Sequence, residues 1–552
     1  MSEHPRTVDA RIPDPLQGPV REKLELAERD RVAERVRAGD ATLWGPEGTP
    51  EIADRLGWIT IAERMLGELG TIETFAQDAR ADGFRDVVLL GMGGSSLAPE
   101  VLRRSFQTGP HGLPLHVLDS TDAETILATE AEVDLGHTLF IVSSKSGGTI
   151  EPLSLFAHFF SRVGDGRRFV AITDPGSGLA QLAGERGFRQ TFLGDPNIGG
   201  RYSALSPFGV VPAALMDIDV HGLLSGAADA WDTAPGDGAG DGASAQPGAG
   251  AVWLGAALSA LAQAGRDKLT FVISGTLPGL GLWLEQLVAE STGKRSTGIL
   301  PVAEEPVGEP AAYGADRVFA YLTDVNSPDA ELDARVRLLG DAGHPVITIP
   351  TAGPPDLGRV FMLWELAVAV AGWGLQINPF DQPNVQQAKD ATKQVLARYE
   401  SSGRLPEVPD ADEAALRSLL LEAGPPEYVA LMAYTRPLPD VDQAVAELRS
   451  AIRATTTATT TFGYGPRFLH STGQFHKGGP RIGRFLQLVH DGPDDVDIPG
   501  APYTFTTLKH AQAIGDLNTL RELGRPAERL TLAGEDPVGA LRALTAKIKE
   551  PT

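Results

Sequence analysis

The stretch Ser144-Lys145-Ser146-Gly147-Gly148-Thr149 sets hydroxyls, two glycines and one lysine directly before a helical sequence. A turn of this kind offers an anion free backbone N–H groups, the positive end of a helix dipole and one ammonium group. The spacing is not G-x-x-x-x-G-K-[ST], so a monophosphate ester fits better than a nucleotide. A second turn, Gly91-Met92-Gly93-Gly94-Ser95-Ser96, lets backbone N–H groups approach a ligand closely. Serine and glycine also populate ordinary strand–helix turns. Two such turns in one sheet point to a ligand site.

Proton chemistry has a candidate in Leu284-Glu285-Gln286-Leu287-Val288-Ala289-Glu290-Ser291-Thr292-Gly293-Lys294, whose apolar spacing reads as a helix stopped at Gly293. Glu290 then sits near the negative helix end, which raises a carboxyl pKa toward the range of a proton-shuttling base. The competing reading is a solvated glutamate at a fraying terminus. Asn197-Ile198-Gly199-Gly200-Arg201-Tyr202-Ser203 adds a Gly-Gly turn and an arginine suited to a developing oxyanion. Two further polar stretches are Asn378-Pro379-Phe380-Asp381-Gln382-Pro383-Asn384, leading to Lys389, and 468–479, which carries His470 and His476. A loop histidine is more often incidental than catalytic. No His/Asp/Glu set has metal-ligand spacing, and no nucleophile elbow occurs in a strand–turn–helix setting.

These residues need a scaffold, and the sequence predicts one. Short apolar runs at 86–90, 115–118, 139–142 and 168–172 each end in a turn followed by a helix. That rhythm indicates parallel strands buried on both faces, and ligands in doubly wound sheets bind beyond the carboxyl ends of the strands. The rhythm resumes at 269–274, 298–302, 318–322 and 345–349, with a helix over 358–372. The expectation is an α/β chain with two doubly wound parallel-sheet units in tandem. Its boundaries are a helical N-terminal segment 1–80, a first unit 81–231, a flexible Gly/Ala/Pro-rich insertion 232–250, a second unit 251–400, and an α/β C-terminal extension 401–552 packing on the second unit.

The totals narrow the class. The 552 residues suit several domains, and the net charge of −24 disfavours nucleic acid and anionic membranes as partners. The most apolar stretches, around 361–375 and 251–263, read as too short or too interrupted to cross a membrane. The chain has no cysteine and shows no secretory signal, which favours the cytoplasm.

In order and spacing, Gly-Gly-Ser95, Ser-Lys145, Gly-Gly-Arg201-Tyr-Ser, Glu290-Ser-Thr-Gly-Lys and Phe-Asp-Gln382 with Lys389 resemble the glucose-6-phosphate isomerase family. Its members carry two sugar-isomerase (SIS) domains of flavodoxin-like fold. The C-terminal LHSTGQFHKGGP is similar to the isomerase half of bacterial transaldolase–isomerase fusions. The resemblance implies a cofactor-free interconversion of glucose 6-phosphate and fructose 6-phosphate through a cis-enediol(ate). It implies Ser95, Ser144, Lys145, Ser146 and Thr149 on the phosphate, and Gly94, Gly200, Gln286 and Gln382 on the sugar. Glu290 would be the base, Arg201 the enediolate partner, and Lys389 with a histidine the ring-opening pair. A homodimer is expected on the same ground. One position departs from the family pattern: Asp316 stands where its ring-opening histidine belongs, so His470, with His476 nearby, is expected to substitute. The resemblance leaves open a dual phosphoglucose/phosphomannose isomerase, decided near Glu290 and Thr292, and a non-catalytic SIS-domain sugar-phosphate sensor.

Overall fold

The computed structural model describes residues 7–236, 247–534 and 536–549, which form three sheets flanked by helices. In the first sheet the spatial order is Leu115–Leu118, Asp86–Leu90, Thr138–Ser143, Phe169–Thr173, Gln190–Leu193, and every pairing is parallel. Numbered along the chain this is 2-1-3-4-5, the flavodoxin-like order, whose switch point lies between its first and third strands. Those two are Asp86–Leu90 and Thr138–Ser143. Their apolar runs are buried, as strands covered on both faces must be. The two glycine-rich turns leave their carboxyl ends.

The second sheet repeats the pattern with Leu300–Val302, Lys268–Ile273, Arg317–Asp324 and Val346–Thr351 in order 2-1-3-4. Thr7–Arg11 extends it antiparallel to Val346–Thr351, and Ala234–Pro235 pairs beyond that. The N-terminal segment therefore opens with a sheet strand before its helices Asp14–Arg29 and Ile61–Ala81. Of the stretch read as a flexible insertion, Ala234–Pro235 is paired and the helix Ala249–Gln263 begins at its end. Positions 237–246 lie outside the described residues.

The C-terminal part is more than an extension of the second unit. Thr459–Tyr464, Tyr428–Tyr434, Gly483–Val489 and Ala527–Thr531 build a third parallel sheet, again 2-1-3-4. It packs on both neighbours. Phe505 and Leu508 of helix Phe505–Glu522 share an apolar cluster with Phe140 and Phe159 of the first unit. Toward the second unit, Arg449 donates to the carbonyls of Ala303 and Glu304.

The apolar stretch 361–375 belongs to a segment, Pro354–Leu375, that is long and apolar enough to cross a membrane, contrary to its reading as too short. Within the fold, 94% of its apolar window is buried as a core helix.

Candidate functional site

A cavity of about 280 Å³ opens beyond the switch point of the first sheet. Gly94, Ser95, Lys145, Ser146, Thr149, Gly200, Arg201, Gln286, Glu290, Gln382, Lys389 and His470 all line it. Ser144 is buried behind the wall, where its hydroxyl donates to Thr149 Oγ1 at 3.0 Å.

Backbone geometry makes this convergence possible. Gly93 has φ +57°, and a Cβ there would stand 2.8 Å from that of His470. A Cβ on Gly94 would meet the Gly200 carbonyl oxygen at 2.2 Å. Only glycine lets the turns at 91–96, 199–203 and 467–471 meet.

On the wall formed by the turn 144–149, Thr149 occupies the N-cap of helix Ile150–Val163 without spending its side chain on a helix N–H. The first N–H groups of that helix are therefore left without a side-chain cap, and the Ser146 hydroxyl lies 3.5 Å from Thr149 Oγ1. The Lys145 ammonium is bonded to the Asp174 carboxylate and donates to the Asp195 carbonyl at 3.0 Å. Burial pulls its pKa below the ordinary value, against the pull of Asp174.

Helix Leu280–Thr292 is buried nearly all round, so its polar residues must find partners inside the molecule. Glu290 lies 3.6 Å from Arg201 Nη1, and Gln286 Nε2 donates to its Oε2 at 3.1 Å. Burial raises the Glu290 pKa, and Arg201 and Gln286 oppose the rise. Desolvation, more than the helix terminus inferred from sequence, is thus its main cause. Glu285 on the same helix is pushed up by burial to about 8, yet it does not line the cavity, whereas Glu290 does. Arg201 is held by Ser291 Oγ at 2.8 Å and by the carbonyls of Pro379 and Asp381. Gln286 Oε1 is buried without a protein partner.

His470 Nε2 lies 3.0 Å from Glu151 Oε1, and its own carbonyl accepts from Gln286 Nε2 at 2.8 Å. Glu151 accepts from Gln512 Nε2 as well, at 2.7 Å. Burial would raise its pKa, but His470 outweighs it and holds the carboxyl below the ordinary range, with a smaller pull from Lys389. His476 is turned away, buried against the Tyr428 hydroxyl at 2.9 Å. Asp316 is remote from the chemistry: it precedes strand Arg317–Asp324 and faces Lys268 at 3.5 Å. The Thr292 hydroxyl is engaged by Val288 and Ile299 rather than aimed at the cavity.

The sequence reading did not pick out Glu51, Arg55, Asp174, Glu151 or Lys294. Glu51, Arg55 and Asp174 line the cavity. Lys294 is buried beneath it, 2.7 Å from Asp381, with burial lowering its pKa to about 7. Glu151 was within reach, two residues past Thr149, but an acidic residue in a first helical turn is ordinary on dipole grounds. Nothing local marked Glu51 or Arg55. Among the described residues no cluster of three or more His, Asp or Glu side chains is arranged to hold a metal ion.

Comparison with known proteins places the chain among sugar-phosphate isomerases. Residues 66–298 match the family model for phosphoglucose isomerase. A glucose-6-phosphate isomerase of Rubrobacter xylanophilus is 29% identical over 67% of this chain and 94% of its own length. One from Parasynechococcus marenigrum is 30% identical, over 63% of this chain and 70% of its own. Among solved structures, a hypothetical protein of Thermus thermophilus superposes with a TM-score of 0.58 at 26% identity, covering 70% of this chain and all of its own. A glucose-6-phosphate isomerase of Chlamydia trachomatis shares the fold, with a TM-score of 0.52 at 20% identity, over 70% of this chain and 86% of its own. The chain belongs to the glucose-6-phosphate isomerase family.

Proposed function

We propose that this cavity interconverts glucose 6-phosphate and fructose 6-phosphate. The observation that carries the reading is Glu290, a buried carboxylate with a raised pKa that faces Arg201 in the same cavity as the anion-receptive helix start. The family relationship makes the chain an aldose–ketose isomerase. The residue roles follow from position.

The ester phosphate lies against Ser95, Ser146, Thr149 and Lys145, with Ser144 buttressing Thr149. Gripping this remote group fixes C1 and C2 against Glu290, so binding energy becomes orientation. His470 and Lys389 flank the sugar and exchange protons with the ring oxygen and the O1 hydroxyl, which opens the ring. Glu290 then removes the C2 proton from the open aldose. The electron pair forms the C1–C2 double bond, and the carbonyl π pair moves to O1, giving an enediolate beside Arg201. A proton passes from O2 to O1. Glu290 returns its proton to C1 and leaves the C2 carbonyl of the ketose. Gln286 and Gln382 contact the sugar, the free Oε1 of Gln286 being suited to accept from a hydroxyl. The backbones at Gly94 and Gly200 line the same face.

A homodimer is a further inference from the same resemblance, and the absence of cysteine favours the cytoplasm; light scattering on the purified chain tests the dimer. The function itself is tested by following fructose 6-phosphate formation from glucose 6-phosphate in a coupled assay. Steady turnover is expected; none would contradict the reading.

A further inference from the structure

The phosphate end of the cavity contains a second cation besides Lys145. Lys145 Nζ donates to the Asp195 carbonyl at 3.0 Å, and Arg55 Nη1 donates to the next one, Pro196, at 3.5 Å. Two cationic heads therefore rest on consecutive carbonyls of one loop, and both side chains line the same cavity. The Lys145 charge is already matched by Asp174.

Arg55 comes from the N-terminal segment, and that segment is fixed to the loop. Gly57 N donates to the Asn197 carbonyl at 3.0 Å, and Arg64 pairs with Asp195 at 2.5 Å. A Cβ on Gly57 would stand 2.8 Å from the Asp195 carboxylate, so the two backbones meet closely. The Arg55 side chain itself keeps 25% of its surface exposed. It pairs with Glu51 at 3.1 Å and Asp54 at 3.0 Å, and Glu51 also lines the cavity. A guanidinium is a planar fork that fits two phosphate oxygens at once, which an ammonium cannot do.

We infer that Arg55 is a second cationic arm of the phosphate grip, and that it exchanges the Glu51 carboxylate for oxygens of the ester phosphate. Glu51 is then a competitor that holds the arm in place until the anion arrives. The inference rests on the isomerase reading for the identity of the ester, though not for the anion site.

The test compares the wild type with Arg55→Gln, Arg55→Lys and Glu51→Gln. It measures KM for fructose 6-phosphate and the competitive inhibition constant of inorganic phosphate. Loss of a charge-assisted contact predicts that Arg55→Gln raises both about ten- to hundredfold, with the change in KM exceeding that in kcat. Arg55→Lys restores part of the loss, and Glu51→Gln tightens phosphate several-fold. If both constants for Arg55→Gln stay within about twofold of wild type, the inference is overturned. Should that variant fail to fold by circular dichroism, Glu51→Gln decides: unchanged or weaker phosphate binding overturns it. A wild type without turnover contradicts the isomerase reading alone. The rise in melting temperature with inorganic phosphate, in wild type against Arg55→Gln, then decides the arginine.

Discussion

Glu290 combines two demands that water would not let one carboxylate meet. It must be basic enough to take a carbon-bound proton, yet ionised often enough to act. In the proposed reaction burial supplies the basicity, and the Arg201 guanidinium limits the rise and receives the enediolate. The acidic limb of kcat/KM should therefore lie above the ordinary carboxylate value of 4.5, with the rate falling as the pH drops through it and the base becomes protonated. Arg201→Gln removes a group that lowers this pKa, so the limb should move to higher pH in the residual activity. A limb at 4.5, or one that Arg201→Gln does not move, would contradict the assignment. His470 is tested by choice of substrate. Erythrose 4-phosphate cannot close a ring through its esterified O4, so His470→Gln should cost far more on glucose 6-phosphate than on this sugar. Glu151→Gln should show the same pattern more weakly, since Glu151 only holds the ring. Equal losses on both substrates would make His470 something other than the ring-opening group. At this scale the sequence singled out residues that meet in one cavity, because Glu290, Arg201, Lys145 and Lys389 stand in short motifs with fixed spacing. It could not show that Asp316 stands before the amino end of its strand, paired with Lys268, or that Glu151 and His470, 319 positions apart, touch.

The elements that matter most are the turns. Gly94 and Gly200 were read as sugar contacts, and the structure adds that the missing side chain of Gly94 makes room for the Gly200 carbonyl. Gly94→Ala would force its methyl into the Gly200 carbonyl. A shift of both turns is expected, with a loss of about 1–3 kcal/mol in urea unfolding and a larger proportional loss of kcat. Unchanged activity in that variant would mean the turns do not position Arg201. The same elements explain which strands were visible in advance. Asp86–Leu90 and Thr138–Ser143 are central and covered on both faces, so they appear as apolar runs. Gln190–Leu193, Thr459–Tyr464 and Ala527–Thr531 lie at sheet edges and went unread. Gln190–Leu193 is only partly buried, and Thr459–Tyr464, though mostly buried, opens on three threonines, so neither stands out as an apolar run. The N-terminal Thr7–Arg11 has the same disguise, and its pairing with strand Val346–Thr351 is too distant in sequence for any local signal.

Across the whole molecule, the third sheet delivers the proposed ring-opening histidine to the cavity of the first. His470 follows its strand Thr459–Tyr464, and Gln512 from helix Phe505–Glu522 reaches Glu151. Lys509 on that helix is buried against Asp122, at the start of helix Ala123–Glu132, with Asp491 at 2.7 Å. Burial opposes the lysine charge, but the two carboxylates win and raise its pKa. Burial likewise pushes Asp491 up, and its pairings with His510 and Lys509 outweigh that and lower its pKa. The clamp therefore contributes from above the unfolded aspartate range to below the unfolded lysine value of 10.5, and weakens outside that window. Lys509→Met should cost about 3–5 kcal/mol at neutral pH, because it strands a buried aspartate, and should lower kcat by loosening His470. A cost below about 1 kcal/mol would show that the sheets are held together by apolar contact alone. The central claim, proton transfer by Glu290 between C1 and C2, is tested most directly by glucose 6-phosphate carrying deuterium at C2. Wild type should release or transfer that label while forming fructose 6-phosphate, whereas Glu290→Gln should retain it and lose at least about a hundredfold in kcat. Loss of the C2 label at the wild-type rate in Glu290→Gln would contradict the account.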